Sequence, residues 1–227
     1  MQSVIGSLLC YGRAIDATIL PALNQLGQQQ ATPTLQTKKA LNQLLDYVYT
    51  YPNGKVRFYA SDMCLTVDSD AAYLVLPKAR SRIAGHFRLL DLPSKVNRSL
   101  YNGSVLVECR MLRHVVSSAA EAETNGVFQN AKLAVPLRHL LNKMGHPQSQ
   151  TVINTDNSTS SGFVHDNIQL KQSKSWDMNL HWLRDKETQK DFKVTWSAGK
   201  SNTADYFSKV THTIRHHRQQ RPNYVRD

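Results

Sequence analysis

The chain lacks the marks of secreted, thiolate-metal and membrane proteins. Its three cysteines, Cys10, Cys64 and Cys109, are odd in number and far apart, with no Cys-x-x-Cys pair. That excludes a disulfide framework or a thiolate zinc site and leaves buried or free thiols in a reducing compartment. No apolar run approaches the roughly 20 residues a membrane-spanning helix needs. Met1-Gln2-Ser3-Val4-Ile5 has no charged start of a secretory signal. The Asn-x-Ser/Thr triplets at Asn97, Asn102 and Asn157 therefore read as chance matches, and the expectation is a soluble, intracellular protein without a membrane partner. No internal repeat is visible. Acid is the scarce charge: 17 Asp and Glu stand against 28 Lys and Arg, a balance of +11 over 227 residues. Such an excess points to polyanions, nucleic acid foremost.

What is present is enough for a core. Hydrophobic residues make up 41% of the chain, and the length suits one sizeable domain with a smaller attachment. Residues 1–54 read as helical. Leu41, Leu44, Leu45 and Val48 recur at helical spacing, Thr32-Pro33-Thr34 offers a start and Pro52-Asn53-Gly54 a stop. Upstream, Val4, Leu8, Ile15, Ile19, Leu23 and Leu26 predict one or two further helices, divided near Asp16 or Pro21.

From Lys55 the pattern turns strand-like. Residues 56–59 alternate, 63–67 form a second run, and 83–90 and 104–111 suit antiparallel strands, with Asn102-Gly103 as a turn signal. A helical stretch covers 117–144, where Pro136 predicts a break and Gly145 and Pro147 a stop. Then come a strand over 151–155, a short helix over 158–167, a helix over 177–185, a strand over 192–196 and a last helix from Asn202 to about His212. Strands first, then strands alternating with helices, predict a mixed α/β architecture: a mixed sheet with helices on its faces. The expected division is a helical segment 1–54, a sheet domain 55–212 and a basic tail 213–227 with Arg215, Arg218, Arg221 and Arg226.

Four acids stand out by position. Asp70 ends an apolar run, Glu123 lies in the long helical stretch, Asp156 follows the strand 151–155, and Asp205 opens the last helix. Carboxylates at strand ends and on the helices beside them can converge, and clustered carboxylates usually serve to hold divalent cations such as Mg²⁺ or Mn²⁺. Two neighbouring acids compete with them. Asp68 and Asp70 share a strand face, so alternation does not separate them; position at the strand mouth favours Asp70, with Asp68 second. On the helix, Glu123 shares a stripe with Ala119, Val127, Ala131 and Ala134, while Glu121 points about 200° away and reads as a surface charge. Asp156 could instead cap the following helix, and Asp205 could favour a helix start through its charge. Trp182 and Trp196 read as core, and His165 and His181 as ordinary surface or half-buried histidines.

Ser69-Asp70-Ala71-Ala72-Tyr73-Leu74, Ala120-Glu121-Ala122-Glu123, Thr155-Asp156-Asn157-Ser158-Thr159 and Ala204-Asp205-Tyr206-Phe207-Ser208-Lys209 together resemble the four acidic motifs of an RNase H domain. The resemblance is to the kind found in copia-like LTR-retrotransposon polyproteins. Ser81 to Phe87 and Lys174 to Met178 resemble the same pattern, which covers roughly 55–212, and Tyr11 to Asn24 resembles the segment joining polymerase to RNase H.

The resemblance implies an RNase H-like fold with a central mixed sheet of about five strands. It implies two Mg²⁺ ions (Mn²⁺ as substitute) on Asp70, Glu123, Asp156 and Asp205, with Asp70 bridging, Asp156 and Glu123 on one ion and Asp205 on the other. The activity implied is hydrolysis of the RNA strand of an RNA–DNA hybrid during reverse transcription. Asn157, Ser158, Thr159, Lys174, Lys200 and Lys209 are candidate contacts to nucleic acid, with Lys171 beside them. The polymerase part of the same polyprotein is an implied partner, and a cytoplasmic retroelement particle or the nucleus the implied location. Two departures matter. The loop 197–203 holds no histidine, and Thr124-Asn125-Gly126 are poor helix formers directly after Glu123. No Tyr-x-Asp-Asp polymerase motif occurs, so the chain reads as a fragment of a longer polyprotein. The alternative reading is an inactive RNase H-like module that binds nucleic acid or supports a polymerase.

Overall fold

The computed structural model describes residues 1–92, 102–165, 174–209 and 212–227. It divides into two compact units, one made of 1–58 with 209–227 and the other of 59–208. No helix among the described residues is long and apolar enough to cross a membrane.

The first unit is helical. Helix α1 spans Gln2–Ala14, and a short 3₁₀ turn, Ala17–Ile19, follows it, capped by Asp16 accepting from the Thr18 amide. Helix α2, Leu20–Gln28, has Pro21 in its first turn, where a missing amide hydrogen costs nothing. Helix α3, Leu35–Thr50, starts on a capping box in which Thr34 and Thr37 satisfy each other's backbone amides. Ile5, Leu8, Ile19, Leu20, Leu23, Leu26, Leu41 and Leu44 are buried. The carboxy-terminal segment belongs to this unit. It carries helix α8, Ile214–Gln220, and then returns so that Arg226 pairs with Lys55 in an isolated antiparallel bridge.

In the second unit, strands β1 (Cys64–Leu76), β2 (Arg80–Leu90), β3 (Ser104–Met111), β4 (Thr151–Thr155) and β5 (Phe192–Trp196) form one sheet in the order β3-β2-β1-β4-β5. The β1–β2 and β2–β3 pairs are antiparallel, while β1–β4 and β4–β5 are parallel. The mixed α/β sheet flanked by helices is therefore present. Helices α4 (Ala119–Lys143), α5 (Ser158–Val164), α6 (Lys174–Thr188) and α7 (Asp205–Ser208) complete the unit. Its main core joins Leu65, Val67, Phe87, Ile153, Phe192 and Val194 of the strands to Val127, Ala131 and Ala134 of α4 and Leu180 and Leu183 of α6.

Several sequence expectations are corrected. Residues 56–59 form no strand; Phe58 and Tyr59 are exposed, and a strand needs a neighbour to complete its ladder. The run expected to end at Asp70 continues to Leu76, because β2 pairs along it as far as Leu76–Arg80. The connecting turn places Lys78 and Ala79 at positive φ, a geometry normally signalled by Asn-Gly, so the hairpin is not legible in the sequence. Asn102-Gly103 is no simple turn: the buried Asn102 amide bonds the Leu89 carbonyl and both backbone groups of Tyr59. Helix α4 runs through Pro136 without a break. Leu133, Val135, Leu137 and Leu141 pack on the core around it, and that burial offsets the roughly 3 kcal/mol a mid-helix proline costs. The last helix of the sheet unit is one turn, Asp205–Ser208, because Asn202 and Thr203 are engaged by β1. Residues 166–167 of the expected short helix, and 210–211 of the last, lie outside the described residues.

Candidate metal centre

The parallel β1–β4 ladder ends at the pair Asp68–Asn154. Continued two residues along each strand, that register puts Asp156 beside Asp70, where the strands no longer bond. Helix α4 lies close to β1 at the same level: a Cβ built on Gly126 would sit 3.5 Å from the Asp70 carbonyl, the Ala71 methyl and the Ser69 hydroxyl. Glu123 is one turn earlier on that helix. Asp70, Glu123 and Asp156 each offer a carboxylate oxygen within 4.8 Å of the others. Asp70 and Glu123 are buried and Asp156 is half-buried. At an effective dielectric near 20, three carboxylates this close repel by roughly 3–4 kcal/mol per pair. A site built only of carboxylate oxygens fits a hard divalent cation such as Mg²⁺ or Mn²⁺.

Asp205 is not in that group. It opens α7, half-buried, on a segment tied to β1 by three hydrogen bonds. The Asn202 amide donates to the Ser69 carbonyl at 2.9 Å, and the Thr203 amide and hydroxyl donate to Asp68. The Asp68 carboxylate also accepts from Asn154 at 2.8 Å and pairs with the buried guanidinium of Arg88. Asp68 is thus held in a buried ion pair with Arg88, whereas Asp70 lies in the three-carboxylate group. The chain of contacts continues to His86, whose Nδ1 lies 2.7 Å from the Thr203 hydroxyl and whose ring packs on Phe207. Since that hydroxyl gives its hydrogen to Asp68, His86 is the donor to it. Burial, and then the Arg88 charge, hold the His86 pKa well below its ordinary value, so the ring stays neutral.

Glu121 is corrected from a surface charge to a buried cap. Its carboxylate accepts from the Ser117 amide and hydroxyl, both at 2.6 Å, while Ser118 accepts from the Glu121 amide. Thr124 and Asn125 do not weaken α4. Thr124 bonds the Ala120 carbonyl and Ser160 of α5, and Asn125 bonds the Glu121 carbonyl and accepts from Asn179 of α6. These polar residues fasten the helix where Glu123 sits. Lower on α4, buried Asn130 donates to the Ser69 hydroxyl and the Ala84 carbonyl, and Gly85 leaves it room, for a Cβ there would fall 2.2 Å from its oxygen.

The cap that the alternative reading gives to Asp156 is supplied by Asn157, whose side-chain oxygen accepts from the Ser160 amide. Ser158 is exposed and Thr159 half-buried. Trp196 is corrected from core to surface: it ends β5, an edge strand, is 57% exposed, and donates its indole hydrogen to the Asp156 carbonyl at 3.0 Å. Trp182 does pack in the core, between Phe128 and Phe192. The 3₁₀ turn Gly199–Ser201 passes so close to Asp156 that a Cβ on Gly199 would fall 2.7 Å from its Oδ2. Lys200 on that turn is exposed, Lys174 opens α6, and Lys209 is exposed and groups with the helical unit. Lys171 lies outside the described residues. His165 and His181 are both exposed, and His165 lies 3.3 Å from Glu187.

Sequence reasoning missed Arg88, His86, Asn130, Asn202, Thr203 and Gly199. The one available signal is the recurrence of Arg82, His86 and Arg88 at even positions of β2, all on the face that carries Asp68 and Asp70.

No family profile matches the chain, and no curated protein matches it. Among solved structures it is similar to the amino-terminal RNase H domain of a Mycobacterium tuberculosis protein, studied as a maltose-binding protein fusion. That likeness has 11% identity and a TM-score of 0.44 and covers 64% of this chain and 91% of that one. It is similar to LC11-RNase H1 in complex with an RNA/DNA hybrid, at 9% identity and TM-score 0.45, covering 63% and 92%. It is also similar to the prototype foamy virus protease–reverse transcriptase, at 10% identity and TM-score 0.41, covering 66% of this chain and 21% of that one.

Proposed function

We propose that the chain is a metal-dependent ribonuclease H of retroelement type, hydrolysing the RNA strand of RNA–DNA hybrids. The observation that carries this reading is the meeting of Asp70, Glu123 and Asp156, which come from three separate elements and from three of the four motifs that resemble RNase H. Asp70, Glu123 and Asp156 would hold a divalent cation, and Asp205, delivered by α7, would serve a second. Bound there, such ions lower the pKa of an attacking water and stabilise the departing 3′ oxygen. Around them this chain supplies the rest. The Asp68–Arg88–Thr203–His86 chain fixes the segment before Asp205, and Gly199 leaves space for Asp156. Exposed Ser158, Lys200 and the Trp196 ring offer a hydroxyl, a cation and a flat apolar face on the Asp156 side for a nucleic-acid strand. The polymerase part of a retroelement polyprotein is the partner this reading implies, and a cytoplasmic retroelement particle, or the nucleus, its location.

A second reading, a module that binds hybrids without cutting them, is favoured by the position of Asp205 outside the three-carboxylate group. Cleavage separates the two. A labelled hybrid incubated with the protein and Mg²⁺ or Mn²⁺ is cut in its RNA strand under the first reading and left whole under the second.

A further inference from the structure

The positive charge of the chain is unevenly shared between its two units. The helical unit, residues 1–58 and 209–227, holds ten Lys and Arg against three acids, a balance of +7 in 77 residues. The sheet unit holds eighteen against fourteen, +4 in 150. Inside the helical unit, one cation is internal. The Arg221 guanidinium is buried, bonds Asp227 and the Tyr47 hydroxyl at 2.8 Å, lies 3.8 Å from Asp16, and rests 4.3 Å over the Tyr51 ring. That cluster engages two of the three acids. The other nine cations are all exposed, with Asp46 as the remaining acid.

Their placement is fixed by the fold. Lys55 and Arg226 exchange both backbone hydrogen bonds, at 2.7 and 2.9 Å, so they stand directly opposite with side chains on one face. Like charges so placed are destabilising. Arg57 follows two residues on. Arg215 and Arg218 are neighbours one turn apart on exposed positions of α8, whose opposite side packs His217 against the Tyr47 ring. A fold that sets cations face to face, while two of the unit's three acids are taken up by the buried Arg221, has a surface suited to closely spaced external negative charges.

We propose that the exposed cations of the helical unit, Lys55, Arg57 and Arg226 about the bridge and Arg215 and Arg218 on α8, bind the sugar–phosphate backbone of nucleic acid independently of sequence and of the carboxylate centre. The choice of nucleic acid over another polyanion rests on the function proposed above; the surface itself does not. Backbone neutralisation releases counterions, so affinity should fall steeply with salt, by about 0.9 in log–log slope per phosphate contacted on duplex.

The test is fluorescence anisotropy of a dye-labelled RNA–DNA hybrid with the full chain in EDTA across a salt series. EDTA removes any contribution of metal at the carboxylate centre. The variant K55A/R215A/R218A/R226A is expected to bind at least tenfold more weakly, with a shallower salt slope, while K55R/R215K/R218K/R226K binds as the parent does. An unchanged affinity and slope in the alanine variant would overturn the proposal. So would a variant that loses binding to phosphatidylserine vesicles while still binding the hybrid as the parent does. Mg²⁺-dependent cleavage of the same hybrid by the parent is read separately, so failure of the ribonuclease reading (no cleavage by the parent) and failure of this one (unchanged binding by the alanine variant in EDTA) give different results.

Discussion

At the scale of single residues, space and charge around Asp156 and Asp68 set the chemistry. Gly199 is needed because any Cβ would press on Asp156 Oδ2. The Gly199→Ala variant should therefore displace the carboxylate without unfolding the loop. Its Mg²⁺-dependent cleavage is expected to fall at least tenfold while its stability stays within about 0.5 kcal/mol of the parent. Wild-type activity in that variant would remove Asp156 from the site.

His86 gives a pH signature. Its folded-state pKa is depressed, by burial first and Arg88 second, so below its ordinary value of 6.5 the unfolded chain binds a proton the folded one refuses. Stability is complete above that pH and declines as pH falls beneath it, by up to about 1.4 kcal/mol per pH unit from this group. All three tryptophans lie in the sheet unit, so urea unfolding followed by tryptophan fluorescence reads this unit directly. Between pH 7.5 and 5.5 the His86→Gln variant should lose less stability than the parent; an equal loss would place the effect elsewhere.

Much of this scale is hidden in the sequence. Asp68 and Asp70 are equivalent by alternation, and only the Arg88 and Thr203 contacts tell them apart. Helical phase places Glu121 away from Glu123 and so suggests exposure, yet its carboxylate turns back to Ser117 as a cap. Trp196 reads as core because indole usually is, while its strand is an edge.

At the scale of elements, α4 shows how a poor local sequence is held by its surroundings. Thr124 and Asn125 lower helix propensity but hold α5 and α6 by hydrogen bonds, and Pro136 is carried by packing on both sides. Gly126 is different. A methyl there would meet Asp70, Ala71 and Ser69 at 3.5 Å, an ordinary contact distance. The Gly126→Ala variant should therefore stabilise the sheet unit by about 0.5–1 kcal/mol in urea unfolding, through the lower backbone entropy of alanine. A destabilised variant would show that α4 and β1 are packed tighter than these distances state. Period and end signals make β2 to β5, α6 and the bulk of α4 readable, while Pro136 reads as a break that α4 does not have and Asn102-Gly103 as a simple turn that it is not. They fail for β1, whose extension depends on pairing with β2 through a turn of Lys and Ala.

At the scale of the molecule, the sheet and helix α4 together bring three mutually repelling carboxylates to one point, an arrangement that costs stability until a cation offsets it. Adding Mg²⁺ or Mn²⁺ should raise the melting temperature of the sheet unit by linkage to binding. Asp156→Asn should melt higher than the parent in EDTA and respond less to the ions. A parent indifferent to both ions would count against the metal centre. The order of the acids and the charge excess are legible in the sequence alone. The division of that charge is not, because residues 209–227 join 1–58 only through the fold.

Under the function proposed above, these carboxylates serve hydrolysis of a hybrid's RNA strand. Its most direct measurement is cleavage of an end-labelled RNA–DNA hybrid with Mg²⁺, beside single-stranded RNA, duplex DNA and the Asp156→Asn protein. Cuts are expected in the RNA strand of the hybrid alone, abolished by Asp156→Asn. Folded protein that leaves the hybrid intact in both Mg²⁺ and Mn²⁺, or that cuts equally well without Asp156, would contradict it.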